Sequence, residues 1–250
     1  MWKVREPRRK PKNPTPLLPD DTDGTKTLEF LNQIKRTAEL VTGNATANSL
    51  GLDPAVYSYG ATGKFHPVAH IASLKLAKEL NDQKELIKFI EVRSKFEDFL
   101  VRHKSFINDL AHSKGSGTRS LDSLMAMHKI ILECLWSGTE ADNDIIAKLN
   151  ADSRLKDLKD WPASDGQQVG KKLSKTVQAT ALVYEILKTR SRCTECGARL
   201  PPVARSKDHK VRQEDGGKGT VENLQFTHPY CNTGYKEAKH AKAQKAADAS

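Results

Sequence analysis

Long apolar runs are missing from this 250-residue chain. No stretch approaches the roughly 20 consecutive apolar residues of a membrane-spanning helix, so no membrane association is expected. Met1 to Lys12 is basic, broken by proline and without the apolar core of a secretory signal, which leaves the cytoplasm as the expected location. Cysteine is also scarce, with only Cys134, Cys193, Cys196 and Cys231. Cys193 and Cys196 form a C-x-x-C pair, a spacing that in a cytoplasmic chain points to metal or redox chemistry rather than to a structural disulfide. Cys134 sits in the apolar run Ile130 to Trp136 and reads as a small buried hydrophobe. Strand signals are few before residue 190, and the middle of the chain carries no net charge.

The charge is at the ends. The net charge is +10; residues 1–13 hold six Lys/Arg against one acid and residues 190–250 hold twelve against seven, so residues 14–189 are neutral overall. A basic arm and a basic C-terminal segment suit a polyanionic partner, nucleic acid above all.

Residues 1–24 read as a flexible, Pro-rich basic arm. Residues 25–190 read as a helical domain that positions DNA or docks a partner. Leu28, Leu31, Ile34 and Leu40 with Val41 recur at helical spacing, residues 43–66 are loop-like, and helix resumes near Pro67. One long stripe runs from Gln83 to His112 through Leu86, Phe89, Ile90, Phe96, Phe99, Leu100, Phe106, Ile107 and Leu110, and Gly115 and Gly117 end it. Further helices are expected over Leu121–Trp136, Asp142–Leu149 and Gly166–Thr189. His66 and His70 lack a third ligand and carry no metal assignment.

At Ser191 the pattern changes to Gly, Pro and Cys with short alternation. Residues 191–240 form a module too small to rest on an apolar core alone, and residues 241–250 a Lys/Ala-rich tail. Cys193/Cys196 and His228/Cys231 are two pairs of soft ligands, each two residues apart, with 31 residues between the pairs. Four N/S ligands in two such pairs make a closed tetrahedral zinc site, which is structural because no position is left for water. Between them, Asp208-His209 ends an alternating stretch, Gly216-Gly217 permits a tight loop, and Val221 to Phe226 can return as a second strand. A helix beginning near Asn232 completes a ββα unit.

This run, C-x-x-C, Asp-His, Gly-Gly, Asn-Leu and a second ligand pair followed by Asn, resembles the HNH endonuclease family with its ββα-metal fold, in the zinc-stabilised variant. The resemblance covers residues 193 to about 240. His228 stands where that family usually has a cysteine, and Asn232 where it often has the last histidine. Carried over by position, the resemblance implies four roles. His209 is the general base toward water. Asp208 and Asn232 hold one Mg²⁺ or Mn²⁺ through oxygen. Asn223 orients the loop that aims His209. Arg205, Lys207, Lys210 and Arg212 are the phosphate contacts. The expected architecture is therefore mainly α, a helical N-terminal domain followed by a small ββα-metal zinc domain. The expected activity is DNA hydrolysis. Residues 27–137 also resemble, without a sharp motif, helical segments of bacterial restriction and anti-phage proteins, which would imply a defence setting and a partner such as an ATPase. The alternatives are a non-catalytic zinc module that binds nucleic acid or protein, and a nuclease subunit silent until a partner activates it.

Overall fold

In the computed structural model, residues 21–43, 47–113, 117–155, 158 and 173–248 are described. Most of the basic arm and the expected start of the last long helix near Gly166 lie outside them. Two compact units divide the chain, Met1–Lys35 and Arg36–Ser250. Helix α1 (Thr25–Thr42) begins in the first, at a turn where the Asp21 carboxylate accepts from the backbone N–H of Lys26 and Thr27, and its residues from Arg36 on belong to the second. Leu28, Phe30, Leu31 and Ile34 are exposed on α1.

The second unit is a helical bundle that runs into a small ββα module, in the order expected. Its helices are α2 (Pro54–Tyr57), α3 (Pro67–Asp82), α4 (Leu86–Arg102), α5 (Ser105–Ser113), α6 (Thr118–Trp136), α7 (Asp142–Ala151) and α8 (Lys175–Thr189). Helix α6 is central and packs on α3, α4, α5 and α7. The interlocking is legible in the spacing. Helix α3 buries Ala69, Ala72, Ser73, Leu76, Ala77 and Leu80, a stripe at helical period. Its small residues let α6 approach closely, and α6 fills the space with Leu124, Met127 and Ile131. Phe89, Phe96 and Phe106 supply the aromatic core, with Phe89 and Phe96 edge to face at 5.9 Å. Cys134 is buried among these apolar groups.

The stripe from Gln83 to His112 is two helices rather than one. Lys84 adopts a left-handed φ of 60°, and α4 begins only at Leu86. At the other end the chain breaks at His103–Lys104, where the buried Lys104 ammonium donates to the carbonyls of Val56 (2.8 Å) and Tyr59 (2.7 Å). Burial pushes the Lys104 ammonium down to a pKa of about 7.

Two residues of α4 interrupt its apolar stripe with charge. Arg93 and Glu97 are one turn apart, both side chains are fully buried, and they pair at 2.8 Å. The Arg93 guanidinium also donates to the carbonyls of Leu50 (2.6 Å) and Gly51 (3.0 Å). Residues 47–53, read from sequence as part of a loop, are thereby a strap across α4, buried from Ser49 to Asp53. Helix α4 and this strap hold the C-terminal module. Glu97 accepts from the backbone N–H of Arg199 at 2.9 Å, Asp98 pairs with Arg192 and Arg199, and Ser94 donates to the Gly197 carbonyl at 3.2 Å. From the strap, the Ser49 carbonyl accepts from the Tyr230 N–H at 2.9 Å and the Ala47 carbonyl from the Thr233 hydroxyl at 2.7 Å.

The module contains β1 (Ser206–His209), β2 (Leu224–Thr227), a π-helical turn over Cys231–Tyr235 and α9 (Lys236–Asp248). The strands pair antiparallel, with Asp208 opposite Gln225 and His209 opposite Leu224. The helix begins as expected close to Asn232 and runs on to Asp248 through the Lys/Ala-rich tail.

Candidate functional site

The module carries two candidate sites. The first is the cluster of Cys193, Cys196, His228 and Cys231, whose ligand atoms all lie within 4.8 Å of one another. Cys193 and Cys196 come from the turn before β1, and His228 and Cys231 from the chain leaving β2. The Nδ1 of His228 is 3.4 Å from the Cys196 sulfur and 3.7 Å from the Cys231 sulfur. A tetrahedral zinc ion with bonds of roughly 2.0–2.3 Å spaces its ligands by about 3.3–3.8 Å, so the donor set fits that metal. The other ring nitrogen of His228 faces the Arg199 carbonyl at 3.0 Å. That contact places its proton on Nε2 and turns the Nδ1 lone pair toward the sulfurs. Without a cation the thiols share protons. Hydrogen bonds from Cys196 and Cys231 pull Cys193 far below the ordinary thiol range, while donation to Cys193 pushes Cys196 up to about 12 and Cys231 well above its ordinary value.

The strap reaches this cluster. Gly51 has φ +55°, and a side chain there would meet the Ala204 carbonyl at 2.9 Å and the His228 ring at 3.1 Å. Only glycine combines that backbone conformation with that approach. The buried guanidinium of Arg93 lies behind the same cluster. Burial opposes its charge, but Glu97, Tyr57 and the sulfurs of Cys196 and Cys231 hold it strongly protonated.

The second site is at the end of β1. Asp208 and His209 both line a groove of about 300 Å³, with Gly219, Thr220, Val221 and Leu224 on its other walls. Alternation along the strand separates the two side chains. Asp208 is buried and faces α9, whereas His209 is half-buried and lies with Lys207 on the outer face. The His209 imidazole makes no hydrogen bond among the described residues. Asp208 is the opposite case. The Lys236 ammonium lies 3.0 Å from its Oδ1 and 2.9 Å from its Oδ2, and the Gln225 amide donates to Oδ2 at 2.7 Å. Lys236 also donates to the His209 carbonyl at 2.9 Å.

Asn223 holds the loop beyond His209. Its side chain accepts from the Val211 N–H at 2.8 Å and donates to the carbonyls of Val211 (3.1 Å) and Lys218 (2.8 Å). Gly217 closes the same loop so tightly that a side chain there would overlap the Val211 carbonyl at 1.8 Å. Asn232 does not line the groove. Its amide donates to the Ser206 hydroxyl at 2.8 Å, two residues before Asp208 on the same strand face, and its Oδ1 accepts nothing among the described residues.

The four basic residues of the hairpin differ. Lys207 is exposed, and its ammonium has no partner among the described residues. Arg205 donates to the Pro201 carbonyl, Lys210 to the Glu222 carbonyl, and Arg212 reaches Glu214 and Glu237. His66 and His70, set aside as metal ligands, face Asn108 and Ser58.

Sequence reasoning missed Lys236, Gln225, Arg93 and Glu97. The first two needed the strand register and the π-turn. The last two carried a usable signal, an Arg and a Glu four residues apart at stripe positions that should be apolar.

Residues 193–237 match a family model described as HNH endonuclease, so this stretch is an HNH domain. No curated protein and no solved structure matches the chain. No helix among the described residues is long and apolar enough to cross a membrane.

Proposed function

We propose that the C-terminal module is a DNA endonuclease that depends on a divalent metal, with His209 as general base and a structural zinc at Cys193, Cys196, His228 and Cys231. The observation that carries this reading is the contrast at the end of β1. Among the described residues the His209 imidazole at the mouth of the groove has no hydrogen-bond partner, while the Asp208, Gln225 and Lys236 side chains beside it are bound to one another and Asn223 is bound to its loop. A base must reach its water, and the free ring on the outer face can do so. Lys207, two residues away on that face and also unpartnered, is the hairpin's best placed phosphate contact. Arg205, Lys210 and Arg212 would have to give up or share their present contacts.

Asp208 and Asn232 are the oxygen donors for Mg²⁺ or Mn²⁺. A hard cation takes one or two protein oxygens and leaves the rest to water and phosphate, so Asp208 alone can hold it at the groove, and Asn232, which does not line the groove, would have to reach in from beside Ser206. The Asn232 oxygen is unused, and Asp208 retains one of its roughly four lone-pair sites. Such an ion, when bound, stabilises charge on the scissile phosphate and the leaving oxygen. Asn223 acts through His209 by fixing the 210–218 loop, and the zinc cluster fixes the hairpin. The helical region is the platform for DNA or for a partner subunit. A restriction or anti-phage role rests on the resemblance of residues 27–137 alone.

The test is plasmid cleavage with Mg²⁺ or Mn²⁺, with and without EDTA, by the full chain and by His209→Ala. Metal-dependent nicking or cutting that His209→Ala abolishes, with zinc content and circular dichroism unchanged, is expected. Equal cleavage by the two proteins would remove His209 from the chemistry.

A further inference from the structure

We infer that the Lys236 ammonium is a built-in cation that fills the Asp208 carboxylate, so that a divalent ion reaches Asp208 only by displacing it. The inference rests on the metal-dependent reading above and concerns what that ion meets on arrival.

The geometry is that of a completed ion site. The side chains of Lys236 and Asp208 are each only 8% exposed. An ammonium has three N–H donors, and here there are three acceptors, both Asp208 oxygens and the His209 carbonyl, all at 2.9–3.0 Å. Nothing is left over for solvent, as burial of an ammonium requires. It sits almost equidistant from the two oxygens, where a cation held by both would sit. Gln225 takes a further lone pair of Oδ2 from the neighbouring strand.

The backbone puts Lys236 there by design of the turn. Cys231–Tyr235 is π-helical, which adds a residue to the turn between the Cys231 ligand and α9. Gly234 permits it, because a side chain at that position would lie 2.7 Å from the Tyr230 ring. The first residue of α9 is thereby turned inward onto β1, while Lys239, Lys242 and Lys245 further along the helix are exposed.

A hard cation entering beside Asp208 meets a like charge within a few ångströms, in surroundings that screen it poorly. The ammonium must leave or the metal stays out. Metal occupancy in the free chain is therefore low, and residue 236 sets it. A role limited to aiming Asp208 predicts the reverse, since removing an aiming residue weakens metal binding.

Mn²⁺ binding to the zinc-loaded full chain, followed by the electron paramagnetic resonance of free Mn²⁺ and without DNA, separates these cases. Lys236→Met should bind Mn²⁺ on the order of tenfold tighter than the unmodified chain, Lys236→Arg no tighter, and Asp208→Asn should lose the site. Equal or weaker binding by Lys236→Met with zinc content intact overturns the displacement. Unchanged binding by Asp208→Asn, or none by any variant, overturns the metal assignment itself. A measurement on the unmodified chain guards against misfolding of the variants. Acylation of Lys236, read by mass spectrometry, should be slow without metal and rise with Mn²⁺, and reactivity that stays low at saturating Mn²⁺ also overturns the displacement.

Discussion

The helical bundle and the ββα module solve the same problem by different means. In the bundle, α3, α4 and α6 bury long apolar stripes, broken on α4 by the Arg93–Glu97 pair, and most of their large hydrophobes are buried or partly buried, with Ile71 and Ile87 exposed. In the module the buried apolar residues are few and small, Ala198, Leu200 and Ala204 with Cys193 and Cys231. Its larger ones, Val203, Val211, Val221, Leu224 and Phe226, face outward. On the proposed reading the hairpin offers an edge to a polyanion, and an edge so used cannot also be buried. Its rigidity has to come from elsewhere, and here it comes from the four-ligand cluster and from polar contacts to α4 and the 47–53 strap. The module is fixed from behind so that its front can stay open.

The sharpest way to break this contrast is to remove the cluster. Cys196→Ala, or extraction of the metal by a strong chelator, should release the 193–235 segment while α3, α4 and α6 keep their protection in hydrogen exchange. The metal-linked stabilisation at stake is on the order of 10 kcal/mol for sites of this kind. Collapse of protection throughout the bundle would mean that the two regions fold as one.

A smaller effect is expected from the contact plane between them. Glu97 accepts from Arg93, from the Tyr57 hydroxyl at 3.1 Å and from the Arg199 N–H. Glu97→Gln removes the only carboxylate paired with the buried Arg93 among the described residues and turns an amide N–H toward other donors. A loss of about 3–5 kcal/mol is expected, the usual cost of stranding a buried charge. Urea denaturation measures it. Zinc content should stay intact in the folded protein, because no ligand has changed.

What could be read from the sequence differs between the regions in the same way. In the module, local spacing carries the information. The ligand pairs, the Gly216-Gly217 loop and the two short strands are legible because each is set by residues close in the chain. The bundle's stripes were legible too, but its interruptions were not. The break at Lys104 depends on the carbonyls of Val56 and Tyr59, and the strap depends on Arg93, more than 40 residues away in sequence. The grip of Lys236 on Asp208 was hidden for a related reason. In sequence it is one more lysine in a Lys-rich helix, and only the π-turn brings it inward.

The smallest effect tests the bundle's apolar character from inside. His128 on α6 is fully buried, its ring packs edge to face on Phe96 at 5.7 Å, and neither ring nitrogen has a hydrogen-bond partner among the described residues. Burial pushes its pKa down to about 4 from the ordinary 6.5. The unfolded chain therefore takes up a proton below about pH 6.5 that the folded chain refuses until about pH 4. Stability falls across that window, by about 3 kcal/mol at its lower end, and the loss is absent above it. His128→Leu removes this share and also a buried N–H that costs about 1–3 kcal/mol unpaired, so the variant should be the more stable protein already at pH 7. Urea midpoints at pH 7 and pH 4.5 decide the matter. If the two proteins lose stability in parallel between those values, His128 is not what makes the bundle acid-sensitive, and the Asp98 carboxylate paired with Arg192 and Arg199 becomes the group to examine.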